Sequence, residues 1–424
     1  MSNTAKKTQL YEHHVSMDAK ISNFGGYDMP LWYKTGPKQE HLAVIQHAGI
    51  FDTSHMAIVT VTGNDAPELL QKCHSKDLTA CIGPSKLPLQ DGKCVYGVFL
   101  DEKGGVIDDS LVYRIKDGFY MVIVNAGMGG PIAAHLKDNK GALNAEIRDY
   151  TDQLGKIDIQ GPSTAKMISR IIKEPEVVLE KMPYFNFKGF FDPGEEVPSP
   201  VNLVNDIPIL LSRTGYTGEF GFEILIEGKH TLTLWDLLKE AGEEYNAISC
   251  GLAARDSLRA GAVLPLSHQD IGDWPFLNNP WPFALPYDDE QKAFTKDFIG
   301  ANALLETRTS DYTYAFSGFD PRKVVPGEDT AVVDESDNKI GVVLTCATDM
   351  AIDRHENDIY SIASENKPDD LKFRGLSCGF IKTTKELAPG DIVYLTGNNR
   401  KFKVEIRADI RPARTARKAM KKML

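Results

Sequence analysis

The chain lacks any long apolar run: nowhere in its 424 residues do 18 apolar residues follow one another. A helix needs about 20 such residues to cross the hydrocarbon core of a bilayer, so we predict no membrane span. The first nine residues are polar and carry lysine without an apolar centre, which predicts no secretory signal.

The chain is also poor in cysteine, because its six cysteines are scattered and no Cys-x-x-Cys occurs. This spacing fits neither a disulfide framework nor a structural zinc site. The histidines show no metal-ligand spacing such as His-x-x-x-His near an acid. We therefore predict no metal site and a reducing, cytoplasmic location.

An excess of positive charge is absent as well, since the formal net charge is −11. Phosphate groups are bound by basic surfaces, so we predict neither a nucleic acid nor an anionic membrane as a partner. The apolar content of 42% and the charged content of 25% are those of a globular protein with a packed core. The length predicts two or three domains.

The pattern of elements changes once along the chain. As far as about residue 260, strand-like and helix-like segments alternate, whereas short strands and turns predominate from about residue 310. Between them, residues 271–288 hold four prolines and two tryptophans, which predicts an ordered linker. The sequence therefore predicts an α+β fold in which residues 291–424 form a small β-barrel or sandwich.

Residues 104–109 place two adjacent carboxylates after a glycine turn. The two glycines suit a tight turn, since glycine adopts positive φ without steric cost. Asp108 and Asp109 then enter a strand, in which successive side chains point to opposite faces, so they are not expected to share one cavity. The alternation puts Asp109 on the apolar face with Leu111 and favours it as a buried carboxylate. An isolated acidic pair of this kind is usually solvated.

A second candidate site combines a bend with a stripe of arginines. Residues 215–223 begin with three glycines in seven positions, which marks a sharply bent backbone, and Glu219 lies inside the bend. On a helix that begins near residue 251, Arg255 and Arg259 share one face. An arginine there is usually solvated or salt-bridged. Facing a pocket, its guanidinium would bind a carboxylate or a polar ring edge in a bidentate way.

Three further features have competing interpretations. The glycine-rich residues 125–131 suggest a dinucleotide-binding turn, but the third glycine is missing and the unit does not open a βαβ run, so we reject that interpretation. His55 precedes an apolar strand and is predicted to be structural rather than a ligand. The basic tail, residues 407–422, is either a solvated end or a clamp for an anionic ligand.

Six motifs follow one another along the chain. They are Leu10-Tyr11 with His14; Phe24-Gly25-Gly26 through Met29-Pro30; Gly49-Ile50-Phe51-Asp52 with Ser54-His55-Met56; Gly104-Gly105-Val106-Ile107-Asp108-Asp109; Gly215-Tyr216-Thr217-Gly218-Glu219; and Cys250-Gly251-Leu252 with Ala254-Arg255-Asp256 and Leu258-Arg259. In this order they resemble the T-protein family of the glycine cleavage system, the tetrahydrofolate-dependent aminomethyltransferases. The resemblance runs from about residue 9 to the C-terminus, and is strong up to residue 260 and weak beyond it.

The resemblance implies a three-domain cloverleaf around a central folate cavity. Residues 1–290 would form two interleaved lobes, the second at about residues 57–150, and the barrel would follow. Asp108, rather than Asp109, would be the catalytic carboxylate. The cofactor would be tetrahydrofolate. A small molecule or a lipoyl-carrier protein would deliver the one-carbon unit to it. The implied folate-binding residues are Glu219 and Arg255, with Tyr96, Asn125 and Tyr184 lining the wall.

The sequence departs from the family pattern on the side expected to face the donor. Residues 260–268 and 344–348 replace family motifs, and extra residues occur at about 188–205 and 352–374. Besides an aminomethyltransferase, two alternatives therefore stay open. One is a tetrahydrofolate-dependent demethylase of a small N-, S- or O-methyl compound, and the other is a non-catalytic folate-binding protein of the iron–sulfur-assembly branch.

The segment 264–287 bears on the choice of donor because its residues are bulky and unfamiliar in the family. They either form a closed aromatic pocket for a small donor or pack the linker against the third domain. The residues concerned are His268, Trp274, Phe276, Trp281 and Phe283.

Overall fold

The computed structural model describes residues 5–307, 311–397 and 400–424. Within these ranges, no helix has both the length and the apolar character needed to span a membrane. The strands form two open sheets of five and six strands, two small sheets and one closed barrel. The α+β fold with a C-terminal barrel, predicted from the sequence, is confirmed.

The elements have the following bounds. The helices are α1 (Tyr11–Ser16), α2 (Gly36–Gln46), α3 (Ala66–Cys73), α4 (Gly129–Lys140), α5 (Thr164–Ile171), α6 (Pro175–Leu179), α7 (Thr231–Gly242), α8 (Leu252–Gly261) and α9 (Ala301–Glu306). The strands are β1 (Lys6–Lys7), β2 (Lys20–Phe24), β3 (Tyr27–Trp32), β4 (Gly49–Asp52), β5 (Ala57–Thr62), β6 (Lys93–Leu100), β7 (Val106–Lys116), β8 (Phe119–Val124), β9 (Glu146–Asp149), β10 (Leu154–Gln160), β11 (Phe187–Gly189), β12 (Leu210–Ser212), β13 (Gly221–Glu227), β14 (Ile248–Ser249), β15 (Tyr312–Gly318), β16 (Ala331–Val333), β17 (Lys339–Asp349), β18 (Ile352–His355), β19 (Asp358–Ser361), β20 (Leu376–Thr383), β21 (Ile392–Gly397) and β22 (Arg400–Ile406).

The six-stranded sheet has the order β11-β12-β13-β10-β4-β14. One of its faces is covered by α5 and α7, whose apolar residues join the strand side chains in a single core. Trp235 of α7 and Phe222 of β13 are fully buried there. This helix-on-sheet packing holds β10 and β13 side by side along seven paired residues, and both strands carry charged residues described below.

The five-stranded sheet has the order β6-β7-β8-β5-β9 and packs on α3 and α4. Its other face meets the six-stranded sheet. Met121 and Ile123 of β8 belong to the same buried cluster as Leu210 of β12 and Leu225 of β13. The two sheets therefore share an apolar interface, and the end of β7 that carries the acidic pair lies at the edge of this contact.

The closed barrel is formed by β15-β20-β17-β16-β21-β22. The linker that precedes it runs along the turn before β7, where Val106 N–H donates to the carbonyl of Gly272 and Phe276 N–H donates to that of Gly104. Trp281 is buried, with its ring centroid 5.1 Å from that of Phe380 in the barrel. The linker thus ties the barrel to the end of the five-stranded sheet.

Candidate functional site

The acidic pair is gathered around one amide. Asn125, just past β8, donates its side-chain amide to Asp108 Oδ1 at 2.8 Å and to Asp109 Oδ1 at 2.6 Å. Its backbone N–H also donates to Asp108 Oδ2 at 2.8 Å. Tyr96 of β6 donates its hydroxyl to Asp109 at 2.8 Å. Ser267, in the loop between α8 and the linker, donates its hydroxyl to Asp108 at 2.7 Å. The two carboxylates therefore belong to one hydrogen-bonded cluster, which the strand alternation did not predict.

The burial of the pair is the reverse of the sequence prediction. Asp108 is completely buried, whereas Asp109 is partly exposed. The alternation itself holds, since Asp108 shares a face with Ser110. That face is covered by Ser267, which lies in the loop between α8 and the linker. The prediction was wrong about burial because the covering residue lies 159 positions away in the sequence.

The environment of the pair favours retention of a proton. Burial raises the pKa of Asp108, although the hydrogen bonds from Ser267 and Asn125 act in the opposite direction. Burial also raises the pKa of Asp109, and the negative charge of Asp108 raises it further. Two close carboxylates in a site of low polarity resist losing both protons. The pair can consequently act as a general acid and base near neutral pH.

A chain of buried charges crosses the two neighbouring strands of the other sheet. Arg255 of α8 donates to Asp158 of β10 at 2.7 Å. Lys156, two residues before Asp158, contacts it at 2.6 Å and contacts Glu223 of β13 at 2.5 Å. Thr214 donates to the other oxygen of Glu223 at 2.5 Å. Burial opposes ionisation of Asp158, but the charges of Lys156 and Arg255 outweigh it and hold its pKa below the usual range.

Tyr216 lies between the charge chain and the acidic pair. The guanidinium of Arg255 is 4.8 Å from the centre of its ring, and its hydroxyl donates to the carbonyl of Pro265. Burial raises its pKa, Asp109 raises it further and Arg255 lowers it. Tyr216 thus contacts Arg255 on one side and, on the other, the loop whose Ser267 donates to Asp108.

A cavity of about 570 Å³ opens beside Arg255 and Tyr216. Its other walls include Phe24, Trp32 and Leu266, and they are mostly apolar. Ligand cavities of about 300–1,000 Å³ with apolar walls and a few polar groups are typical of small-molecule sites. The cavity therefore provides room for a flat ring system beside a cation and a tyrosine.

Glu219 has different partners from those that the resemblance implies. It is buried within the glycine bend, where Thr415 Oγ1 donates to it at 2.6 Å and Arg411 Nε lies 3.3 Å away. Both partners belong to the C-terminal tail, and no hydrogen bond or ion pair joins Glu219 to Arg255 among the described residues. The tail is therefore neither a solvated end nor a clamp open to a ligand at this point, because its Arg411 is fully buried.

Glu223 was missed by the sequence analysis, although a signal was present. It is the only charged residue before position 227 in the strand Gly221–Glu227, which is otherwise apolar. A charged residue in such a run is expected to face either solvent or a polar site, and Glu223 is 5% exposed. Its position four residues after Glu219 puts a carboxylate into the chain of charges that Arg255 begins.

Tyr184 lies at the Glu223 end of the site. Its ring is 5.8 Å from the guanidinium of Arg213 and 5.4 Å from that of Arg417. Burial raises its pKa to about 12, and the charge of Glu223 also acts to raise it, against the effect of both arginines. The five remaining predicted site residues thus separate into two groups: Asp108, Asn125 and Tyr96 at one end, and Arg255 and Tyr184 near the charge chain.

The bulky residues of the linker do not act as a unit. Trp281 and Phe276 are buried among residues of the barrel, and Lys382 lies 4.0 Å from the ring centre of Trp274. These three pack the linker against the barrel, as one of the two sequence interpretations held. Only His268, 3.8 Å from Asp108, and Phe283, 5.9 Å from the Tyr96 ring, approach the acidic pair.

Two more observations complete the site. In the part of the chain that the structure describes, no group of three or more His, Cys, Asp or Glu residues is arranged to hold a metal ion. His55 is buried beside Phe24, and burial lowers its pKa to about 4, so its imidazole is neutral. Its Nδ1 and the hydroxyl of Ser110 are buried and have no hydrogen-bond partner among the described residues.

Comparison with known proteins extends over most of the chain. The family model of the GCVT N-terminal domain matches residues 10–274. The aminomethyltransferase of Caldanaerobacter subterraneus subsp. tengcongensis is 34% identical over 74% of this chain and 77% of its own length. The aminomethyltransferase of Staphylococcus haemolyticus is 34% identical over 73% of this chain and 76% of its own.

The fold agrees with that of a solved relative. The crystal structure of the glycine cleavage system aminomethyltransferase T from Bartonella henselae matches with a TM-score of 0.74 and 26% identity, over 95% of this chain and 96% of that one. The match extends through the barrel, where the sequence resemblance was weak. This chain therefore belongs to the aminomethyltransferase family and is a one-carbon transferase.

Proposed function

We propose that the chain transfers an aminomethyl-derived carbon to tetrahydrofolate, which binds in the cavity beside Arg255 and Tyr216. The observation that carries this proposal is the buried carboxylate pair around Asn125, which is linked to a ring-sized cavity through one loop: Ser267 donates to Asp108, and the preceding residue, Leu266, lines the cavity. A transferase of this kind needs a proton-holding group near the reacting carbon and a polar anchor for the pterin ring. The acidic pair supplies the first, and the charge chain from Arg255 to Glu223 supplies the second.

The residues of the site suit a folate. The pterin ring presents amino and ring N–H groups that a carboxylate accepts, and Glu223 is the carboxylate that faces the charge chain. Phe24 and Trp32 offer apolar surface to the faces of the ring.

The chemistry is divided between ligand and protein. Tetrahydrofolate supplies the nitrogen that accepts the one-carbon unit. Burial raises the pKa of Asp108 to about 6, so this carboxyl can take up a proton close to neutral pH and donate it to the amine that leaves the donor. Asn125 fixes both carboxylates, so that the proton is delivered from one position. Tyr96 orients Asp109, which keeps the second carboxylate within the cluster.

The surroundings of the pair favour a carrier-borne donor over a small molecule in a closed pocket. Phe283, the aromatic residue nearest to Tyr96, is 55% exposed, and the imidazole of His268 is 51% exposed. An enclosed aromatic pocket would require these groups to be buried. Asp108 itself is buried, but the exposed Phe283 and His268 leave the surface above the acidic pair open, which suits an aminomethyl group on a flexible lipoyl arm.

The test compares products from different donors. The chain is incubated with tetrahydrofolate and an aminomethyl-lipoyl carrier protein, and methylene-tetrahydrofolate and ammonia are measured. Parallel reactions offer small N-, S- and O-methyl compounds and measure methyl- and methylene-tetrahydrofolate. We expect turnover with the carrier only. Turnover with a small methylated compound, and none with the carrier, would establish the demethylase alternative instead.

The control variant for this assay is Asp337→Asn. Asp337 forms an exposed ion pair with Lys401 on the barrel, so the loss of that ion pair leaves the site intact. The non-catalytic folate-binding alternative is not retained, because the family to which this chain belongs is that of the aminomethyltransferases.

A further inference from the structure

The loop between α8 and the linker is held rigidly over the acidic pair. Arg259 of α8, almost fully buried, donates to Asp270 at the far end of the loop. Asp270 also accepts the backbone N–H of Leu266 at 3.0 Å and the hydroxyl of Thr345 from the barrel at 2.6 Å. A buried ion pair with every oxygen satisfied fixes a unique arrangement of the chain.

Two residues of this loop have backbone conformations that are rare for side-chain-bearing residues. Val263 has φ of +59° and His268 has φ of +60°. A β-branched residue at positive φ is an outlier, and such conformations persist only where the surrounding structure imposes them. Here the Arg259–Asp270 pair imposes them, and the consequence is the position of Ser267 and His268.

Ser267 and His268 both approach the same oxygen, Oδ1 of Asp108. Ser267 donates its hydroxyl to Asp108 Oδ1 at 2.7 Å, and His268 Nε2 lies 3.8 Å from that oxygen. The side chain of Asp108 is 0% exposed and that of His268 is 51% exposed. The imidazole therefore stands between a buried carboxyl and solvent.

We propose that His268 carries the proton between Asp108 and solvent. It is thus a positioning residue, which acts on the reaction only through the charge state of the catalytic carboxyl. The inference rests on the proposed function of Asp108. In the recharging direction, a hydronium ion of the solvent gives a proton to Nδ1 of the neutral imidazole, and Nε2 then gives its proton to the ionised Asp108. One O–H bond of hydronium and the Nε2–H bond break, while the Nδ1–H bond and the carboxyl O–H bond form. The imidazole is left neutral as the Nδ1–H tautomer, which proton exchange with solvent converts back. A small rotation of the exposed side chain closes the 3.8 Å gap.

Other titratable groups surround this pathway without replacing it. Asp109 and Tyr96 lie on the strand side and are hydrogen-bonded to each other. The Tyr216 hydroxyl donates to the carbonyl of Pro265 in the loop, and the Arg259–Asp270 ion pair lies on the buried side of the same loop. Among these groups Asp109 is partly exposed but faces Tyr96 and Asn125, and the Asp270 carboxylate is fully buried. His268 is the titratable residue of this group whose side chain is half in solvent.

The experiment uses His268→Asn and His268→Gly in the full-length chain with the aminomethyl-lipoyl carrier and tetrahydrofolate. Both residues accept positive φ, so the loop conformation is retained while the titratable ring is removed. We expect kcat to fall by about 10–100-fold, within the range of proton-transfer contributions, with KM for the carrier unchanged. Added imidazole should restore part of the kcat of His268→Gly and leave the parent unaffected.

The matched control is His355→Asn, at an exposed histidine of the β18–β19 hairpin in the barrel region. We expect its kcat and its pH profile to equal those of the parent. An unchanged kcat in both His268 variants, or a loss that imidazole does not relieve, would overturn the relay. Absence of turnover in the parent chain would instead count against the proposed function, so the two failures are distinguishable.

Discussion

Asn125 and Asp108 are joined twice, since the backbone N–H and the side-chain amide of Asn125 each donate to a different oxygen of Asp108 at 2.8 Å. The same amide nitrogen reaches Asp109 at 2.6 Å. A single residue at the end of β8 thus fixes both carboxylates relative to each other. This arrangement gives the pair a common protonation behaviour, on which the first two predictions depend.

The roles of the two carboxylates are separated by conservative substitutions. Asp108→Asn should lower kcat by about 100-fold or more, because it removes the proton-donating group, with tetrahydrofolate affinity largely kept. Asp109→Asn should retain more activity and shift the alkaline limb of the pH–kcat profile to lower pH, because removal of a negative charge beside the proton donor Asp108 lowers the pKa of that donor. Loss of turnover in Asp109→Asn with an active Asp108→Asn would reverse the assignment.

Removal of the shared amide should disturb both carboxylates at once. In Asn125→Ala, Asp108 and Asp109 lose side-chain donors that lower their pKa values. Because the proton donor Asp108 then stays protonated to higher pH, the alkaline limb of the pH–kcat profile should move to higher pH. The loss of hydrogen bonds to a buried group should also lower the free energy of unfolding by about 1–3 kcal/mol, measured in denaturant at neutral pH.

The control for that substitution is Asn139→Ala on α4, which removes one side-chain bond to the carbonyl of His135. It should leave the pH profile unchanged. An unaltered profile in Asn125→Ala would contradict the view that this amide sets the protonation of the pair.

Substitutions of Glu223 and of Glu219 should have different effects on the affinity of the protein for folate. Glu223→Gln replaces the carboxylate of the charge chain, and we expect the free energy of tetrahydrofolate binding to weaken by about 1–3 kcal/mol, measured by calorimetry. Glu219→Gln should leave the affinity near that of the parent and lower the melting temperature, because it loses its ion pair with buried Arg411. Weaker binding in Glu219→Gln alone would return that residue to the folate site, as the resemblance implied.

Acid should weaken the contacts that the barrel strand β17 makes with α2 and with the C-terminal tail. Asp349, at the end of β17, is buried between His41 at 2.9 Å and Arg411 at 2.6 Å. Burial opposes its ionisation, but the charge of Arg411 and then that of His41 lower its pKa well below the usual range. A carboxyl with a lowered pKa in the folded state stabilises the protein above the unfolded pKa of about 3.9. That stabilisation is lost as the pH falls toward the folded value.

Asp349→Asn tests this directly. We expect the free energy of unfolding at pH 7 to fall by about 3–5 kcal/mol, since buried Arg411 loses a charged partner. The variant should also lose part of the steepness of unfolding below about pH 4. Asp337→Asn, whose ion pair with Lys401 is exposed, should show neither effect. Identical acid unfolding in Asp349→Asn and the parent would rule out this role.

The local sequence determined the elements that carry the site. The glycine turn before β7 predicted the entry of two carboxylates into a strand, and the glycine bend and helix predicted the positions of Glu219 and Arg255. Order of motifs identified the family across residues 9–260. These features depend on short-range backbone preferences and on residue spacing, which one sequence contains.

Tertiary structure alone decided which of those side chains meet. Asp108 is buried because Ser267 covers it from 159 positions away, and Glu219 is paired with Arg411 because the C-terminal tail returns to the bend. Glu223 enters the charge chain because β13 pairs with β10, which carries Lys156 and Asp158. Burial and pKa depend on atoms that are close in space, whereas spacing along the chain specifies only the faces of single elements.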